Sequence, residues 1–513
     1  MVRGDDTVAV VGVAALVAFA NRSGVGWSWD STDYVETGIN LAEGRGLVDV
    51  TGRLMTVRPP GLPVILAVGH ALGVSPGVVL QVVNAACAAL VVGLGGLLLA
   101  RAGVGTWPRR WALAMLAASP ALLWQWTMAW SEPPFLALEL AMLAVALHAR
   151  RAWRWPALAV LGAALCFVRY VGPVFAVAIL AAGTVVHAAR RGWVRAAVLH
   201  AATLGVAALP VWRWLARNHR IDGTWTGTRV PGGGSLAGPL RTATATLGTW
   251  VLGRPFEGSI YMTWADYPAS ARAAGTAAAA VLVAGLAYAG VRTARTRRPE
   301  PLGVACAAVV VAYVAFSAWR FVYAELGPLD NRMMIPVLPP LVLLAALGVD
   351  RAARQGQITG QITGQITGRI TGQITGRVTG RVAAVACGLL LAAQVAAVAR
   401  DATVFGRDGR HWGSRAFQRA PIHEAARDLP GPAGWYSNEP QQLYAVVRSG
   451  PILTQYQKDD GPRQRCTHRY VVWYARTFLP DGEPTALPVV FADDWGKIYD
   501  LGPCDEDVNL RWP

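Results

Sequence analysis

The feature that most limits what this chain can become is a succession of apolar runs, nearly free of charge, close to the length that crosses a bilayer. About 20 apolar residues in a helix span the hydrocarbon core, with roughly 17 to 25 tolerated. Such runs fall near 5–22, 78–100, 110–128, 133–149, 156–170, 172–188, 196–215, 271–291, 301–322, 334–349 and 383–400, about eleven in all. Backbone groups in lipid must be satisfied within the segment, so each run is expected to be a helix. The first lacks a strongly basic start and a clear A-x-A site, and is expected to stay in the chain. Only 15% of the 513 residues are charged, against about 25% in a soluble domain, and the deficit falls in these runs.

Arginine clusters punctuate the runs: Arg101, Arg109 and Arg110; Arg150, Arg151 and Arg154; Arg190, Arg191 and Arg195; Arg292, Arg295, Arg297 and Arg298; Arg351 and Arg354. They fall on every second connection, as the positive-inside rule requires of a consistent set of spans. The N-terminus is then expected inside, with residues 23–77 and the C-terminal tail outside. These topology signals account for the net charge of +16. They do not form the basic face that nucleic acid needs, and no nucleic-acid partner is expected.

Residues 357–380 read QITGQITGQITGRITGQITGRVTG, six copies of a tetrapeptide. A glycine every fourth residue disfavours a helix, and the unit is far shorter than a solenoid repeat. The expected layout is a transmembrane domain over 1–350, a low-complexity cytoplasmic linker over 351–382, a last transmembrane helix over 383–400 and an extracytoplasmic domain over 401–513. That last part is polar, with strand-like RYVVWYA (469–475) and LPVVFA (487–492) and helix-like IHEAARDL (422–429). It reads as a small α/β domain, and about a hundred residues bury a core. Cys87, Cys166, Cys306 and Cys387 lie in apolar runs, whereas Cys466 and Cys504 lie in this outer domain, where an oxidising compartment permits a disulfide. Whether they pair is left open.

The polar motifs gather on the side assigned to the outside. They are GWSWDSTDYVETGINLAEGRG (26–46), RPPGLP (58–63), WSEPP (130–134), FVRYVG (167–172), RNHRIDGTWTGTR (217–229) and DNRMMIPVLPP (330–340). The glycine-rich TGTRVPGGGS (226–235) has no phosphate-loop pattern. In their order and common side the motifs resemble the GT-C superfamily of polyprenyl-phosphate-sugar glycosyltransferases, in its protein mannosyltransferase and aminoarabinose transferase branch (family 39-type). Asp30, three residues and then Tyr34 match the acidic-to-aromatic spacing of the first outer loop, and INLAEGRG is similar to the glycine-ended stretch that usually comes next. Arg58 before Pro59 and Pro60, the SEPP at Glu132, and Arg332 four residues before Pro336 match later motifs. The resemblance covers about residues 1–350. It departs at Ser31, where related mannosyltransferases often carry a second acid.

The resemblance implies an α-helical polytopic membrane protein, GT-C-like, of about eleven transmembrane helices, with the small C-terminal extracytoplasmic α/β domain. It implies an integral-membrane glycosyltransferase, hexosyl- or pentosyl-transferring, on the outer face of a bacterial cytoplasmic membrane. The partners are a polyprenyl-phosphate-linked sugar donor, a glycan, lipid or protein acceptor of the cell envelope, and membrane lipids. The acceptor must lose a proton as it attacks the anomeric carbon, and a carboxylate takes it. Asp30 is the expected general base, with Asp33 and Glu132 as further catalytic candidates. Arginine's fork of donors suits a lipid phosphate, which points to Arg58, Arg169 and Arg332, with Tyr34 and Arg217 lining the substrate. No His/Cys cluster has metal-ligand spacing; a divalent metal at Asp30 and Asp33 stays open. Plainer roles exist for each: Asp30 as a helix cap, Glu132 at a helix start, Arg169 at the interface, Arg332 paired with Asp330. The alternative function is a transporter or flippase of lipid-linked glycan intermediates, which needs charges within the spans; Glu139 and Arg169 are the doubtful cases.

Overall fold

The computed structural model describes residues 4–149, 152–228, 235–255, 263–296, 300–323, 329–366, 369–430, 433–448, 451–453, 466–475 and 483–504. Arg150, Arg151, Arg297 and Arg298, and residues 229–234 of the glycine-rich stretch, lie outside them. The chain forms two compact units: Met1–Ala18, Val83–Trp126 and Ser131–Ala402 in the first, and Phe19–Val82, Thr127–Trp130 and Thr403–Pro513 in the second.

The helices begin with α1 (Gly4–Ala20), α2 (Trp29–Ala42), α3 (Gly61–Ala71), α4 (Pro76–Arg101), α5 (Thr106–Ala117) and α6 (Pro120–Trp126). They continue with α7 (Glu132–His148), α8 (Arg154–Val168), α9 (Gly172–Arg191), α10 (Trp193–Asp222), α11 (Ala237–Val251), α12 (Ala269–Thr296) and α13 (Pro301–Tyr323). The short α14 (Asn331–Met334) leads into α15 (Leu338–Ile366) and α16 (Arg369–Asp408). Among the described residues six segments are long and apolar enough to cross a membrane: Pro76–Arg101, Trp193–Asp222, Ala269–Ala287, Pro301–Tyr323, Asn331–Arg354 and Cys387–Asp408. Asp6–Ala20, Arg154–Val168 and Gly172–Ala188 are apolar but shorter. The run 110–128, expected as one span, is divided between α5 and α6. Proline pushes the residue before it out of the helical region, and Ser119 precedes Pro120.

Helix also covers most of the tetrapeptide repeat, in α15 and α16. Helix extends cooperatively from the apolar segments on either side, and each glycine costs only about 1 kcal/mol. The first unit packs α7, α8, α9, α13 and α15 around a common apolar core. In it Phe135 meets Phe175 edge-on at 4.9 Å, and Phe175 meets Tyr313 at 5.3 Å.

In the second unit α2 and α3 lie side by side. Gly38 allows this: a Cβ there would stand 2.7 Å from Leu66 Cβ and 3.1 Å from the Pro63 carbonyl. The C-terminal part holds α17 (Arg415–Gln418), α18 (Pro421–Asp428), α19 (Pro440–Val447) and a five-stranded sheet. Its strands are β1 (Ala433–Ser437), β2 (Ile452–Leu453), β3 (His468–Tyr474), β4 (Val489–Asp493) and β5 (Gly496–Pro503), in the order β2-β1-β3-β5-β4. β1 runs parallel to β2 and β3, while β5 is antiparallel to β3 and β4. Alternation along β3 puts Tyr470, Val472 and Tyr474 in one apolar cluster and Val471 and Trp473 in another. Cys466 and Cys504 are disulfide-bonded, with Cα atoms 5.9 Å apart.

The segment after α2 takes part in this sheet's core. Val50 is fully buried among Trp435, Leu443, Tyr444 and Ile452, and its carbonyl accepts the Ile452 N–H at 3.0 Å. The Trp27 carbonyl likewise accepts the Trp412 N–H at 3.2 Å.

Candidate active site

The candidate residues fall into two clusters, one in each unit. The first is built on α2. Ser28 is its N-cap, and the Ser28 N–H donates to Ser31 Oγ at 3.0 Å. Asp30 therefore does not cap the helix; it sits in the first turn, where the helix dipole favours a negative charge. Asp33 comes three residues later, on the same side of the helix. Arg58, held by the Pro59–Pro60 start of α3, reaches both. Its Nη2 and Nε donate to Asp30 Oδ1 at 2.6 and 3.0 Å, and its Nη1 donates to Asp33 Oδ2.

The two acids are not equivalent. The Asp30 side chain is 26% exposed, whereas that of Asp33 is 4% exposed. Burial raises the Asp33 carboxyl from its ordinary 3.8 to about 7, against the pull of Arg58. Desolvation outweighs the ion pair because the charged form loses its water. Tyr34 packs its ring into the core of this unit with Val25, Leu62, Leu66 and Leu80.

The second cluster is centred on Glu132, the first residue of α7 and fully buried. Its Oε1 accepts from Arg332 Nε at 2.7 Å and from Arg169 Nη1. Arg169 stands in extended conformation at the corner after α8, and Arg332 lies in α14. Asp330 caps α14 by accepting the Met333 N–H at 3.0 Å. Two guanidinium groups thus meet one carboxylate. Arg217 has contacts on α10. It stacks over Trp214 at 4.5 Å and donates to Asn218 at 3.0 Å, while Asn218 and Trp214 both donate to the Tyr170 hydroxyl. An apolar groove of about 570 Å³ opens between α9 and α13, lined by Pro173, Val177 and Ala181 on one side and Ala308, Ala312 and Phe316 on the other.

Among the described residues no group of three or more His, Cys, Asp or Glu side chains is placed to hold a metal ion. Arg58 already supplies Asp30 and Asp33 with a cation. Two residues that the sequence motifs did not single out belong with the first cluster. Glu36, buried on α2, accepts the Tyr444 hydroxyl of α19 at 2.5 Å. Burial raises the Glu36 carboxyl as well. Helical spacing from Asp30 and Asp33 would have pointed to Glu36; nothing in the sequence pointed to Tyr444.

The fold joins helices long and apolar enough to cross a membrane to a small C-terminal sheet. In particular, the chain is similar to ArnT from Cupriavidus metallidurans. The apo structure of that protein matches at a TM-score of 0.59 and 16% identity, over 97% of each chain. Its structure bound to undecaprenyl phosphate matches at 0.57 and 15%, over 98% of each chain. No protein-family model matches the sequence, and no curated protein does.

Proposed function

We propose that the protein is a membrane glycosyltransferase that moves a sugar from a polyprenyl-phosphate donor to an acceptor of the cell envelope, on the outer face of the membrane. The observation that carries this reading is the partly exposed Asp30 carboxylate, gripped by Arg58, on a fold shared almost end to end with a protein solved bound to undecaprenyl phosphate. The acceptor's hydroxyl or amine attacks the anomeric carbon, and Asp30 takes its proton. The bond from that carbon to the phosphate oxygen breaks, and the lipid phosphate leaves with the electron pair. Charge on the sugar is then oxocarbenium-like, by analogy with glycosidases.

Arg169 and Arg332 are the proposed holders of the donor phosphate, since their two guanidinium groups converge at Glu132 and such forks suit phosphate. Arg58 orients Asp30; any contact of its own with the phosphate requires its carboxylate pairs to open. Asp33, buried and raised to about 7, modulates Arg58 rather than meeting substrate. The groove between α9 and α13 begins four residues after Arg169 and suits an apolar polyprenyl chain.

The test is transfer from labelled polyprenyl-phosphate sugars to envelope acceptors by the purified protein in liposomes. Wild-type protein transfers label, and Asp30→Asn loses at least ~10²-fold of the rate. Undiminished transfer by Asp30→Asn removes the base. Movement of an intact lipid-linked glycan across the bilayer, without transfer, favours the flippase.

A further inference from the structure

Helix α19 packs against α2. The Tyr444 hydroxyl donates to Glu36. Both Glu36 and Tyr444 are buried, at 8% and 2% exposure. Two helices that only needed to pack would do so better with apolar side chains, because burying a carboxyl and a phenol costs desolvation. What the polar pair adds is a fixed register. Asn40 reinforces it, donating to the Val48 carbonyl at 2.8 Å and accepting from Arg45 at 2.7 Å. This anchors the segment that carries Val50 into the sheet's core.

We propose that the C-terminal domain is part of the catalytic apparatus, and that Tyr444 and Glu36 are positioning residues. Their hydrogen bond fixes the rotation of α2 and thereby aims Asp30 and Asp33, two turns and one turn earlier, at Arg58. The proposal rests on the reading of Asp30 as the base, and it gives the C-terminal domain a task beyond display.

The experiment uses the full chain with Tyr444→Phe, Glu36→Gln and the double variant, each of which keeps the packing volume. Transfer from the labelled polyprenyl-phosphate sugar is measured together with backbone hydrogen exchange. Each single variant is expected to lose about 10-fold or more in kcat, since small misplacements of reacting groups are costly. The donor KM should change little, the melting temperature should stay within about 2 °C, and the double variant should be no worse than the poorer single one. Exchange should quicken in α2 and stay unchanged in β1 and β3. Wild-type rates in both single variants, effects that multiply, or unchanged α2 exchange each overturn the proposal. If the wild-type protein transfers no sugar, the functional reading fails, and α2 exchange alone then decides whether Tyr444 seats the helix.

Discussion

Arg58 grips one oxygen of Asp30 with two nitrogens, at 2.6 and 3.0 Å. A lysine offers a point charge and no fork. Arg58→Lys is therefore expected to keep the ion pair but lose the aim of the carboxylate. Transfer should fall by roughly 10-fold to 100-fold, the range of a charged hydrogen bond. Steady-state kinetics with saturating donor checks this, and near-normal kcat would count against an orienting role.

The cluster around Glu132 separates binding from stability. Arg169→Gln and Arg332→Gln should each raise the donor KM by roughly 10-fold to 100-fold, through loss of a charge-assisted bond to phosphate. Glu132→Gln should instead act on the fold. Breaking a buried pair from one side typically costs about 3–5 kcal/mol. Thermal unfolding of the three variants in one detergent tests the contrast, which is lost if Glu132→Gln melts like wild type.

Asp33 predicts a pH dependence of stability. Its folded-state value of about 7 lies above the ordinary 3.8. The folded protein therefore binds a proton between these values that the unfolded chain has released. The resulting stabilisation is full below about 4, declines as pH rises, and is gone above about 7. The surrounding charges are Arg58, Asp30 and Asp49. Melting temperatures from acidic to mildly alkaline pH should show this fall in wild type and a flatter profile in Asp33→Asn. Parallel profiles would refute it.

The groove between α9 and α13 can be filled from one wall. Ala312→Trp places an indole in the groove that Ala312 lines together with Val177 and Phe316. Expected is a higher KM for the full-length polyprenyl donor, with little change for a short-chain analogue. Equal effects on both donors would show that the groove does not take the chain.

The disulfide ties Cys466, just ahead of β3, to Cys504, just after β5, across a separation of 38 residues. Loop-closure entropy for that length is about 4 kcal/mol in the simple chain model, with measured values often lower. Cys504→Ser, or reduction of the intact protein, should lower the melting temperature of the C-terminal domain. A reduced protein that melts like the oxidised one would show that the sheet stands without the bond.

The long apolar helices were legible because lipid leaves a chain little choice, and the motifs around Asp30, Arg58, Glu132 and Arg332 were legible as motifs. Their pairing was not. Glu132 and Arg332 are 200 residues apart, and no local pattern links them. Helix α2 was hidden for another reason. Alongside Tyr34 and Val35 it buries the polar Ser31, Thr32, Asp33, Glu36, Thr37 and Asn40, so no clean apolar stripe marks it. The split at Ser119 was visible in principle, because Pro120 marks it, but composition smoothed it into one run. The Cys466–Cys504 bond needed geometry that spacing does not contain.

Val50, lodged between Trp435 and Ile452, has a consequence for biosynthesis. The chain emits residues 19–82 early, yet their partners come after residue 403. More than three hundred residues must leave the ribosome before the Asp30 segment can reach its final packing. Until then its buried acids and apolar side chains lack the neighbours that cover them, a window in which chaperones and proteases compete with folding. Premature termination anywhere before α19 should therefore leave the first cluster unassembled, even where every span has been made.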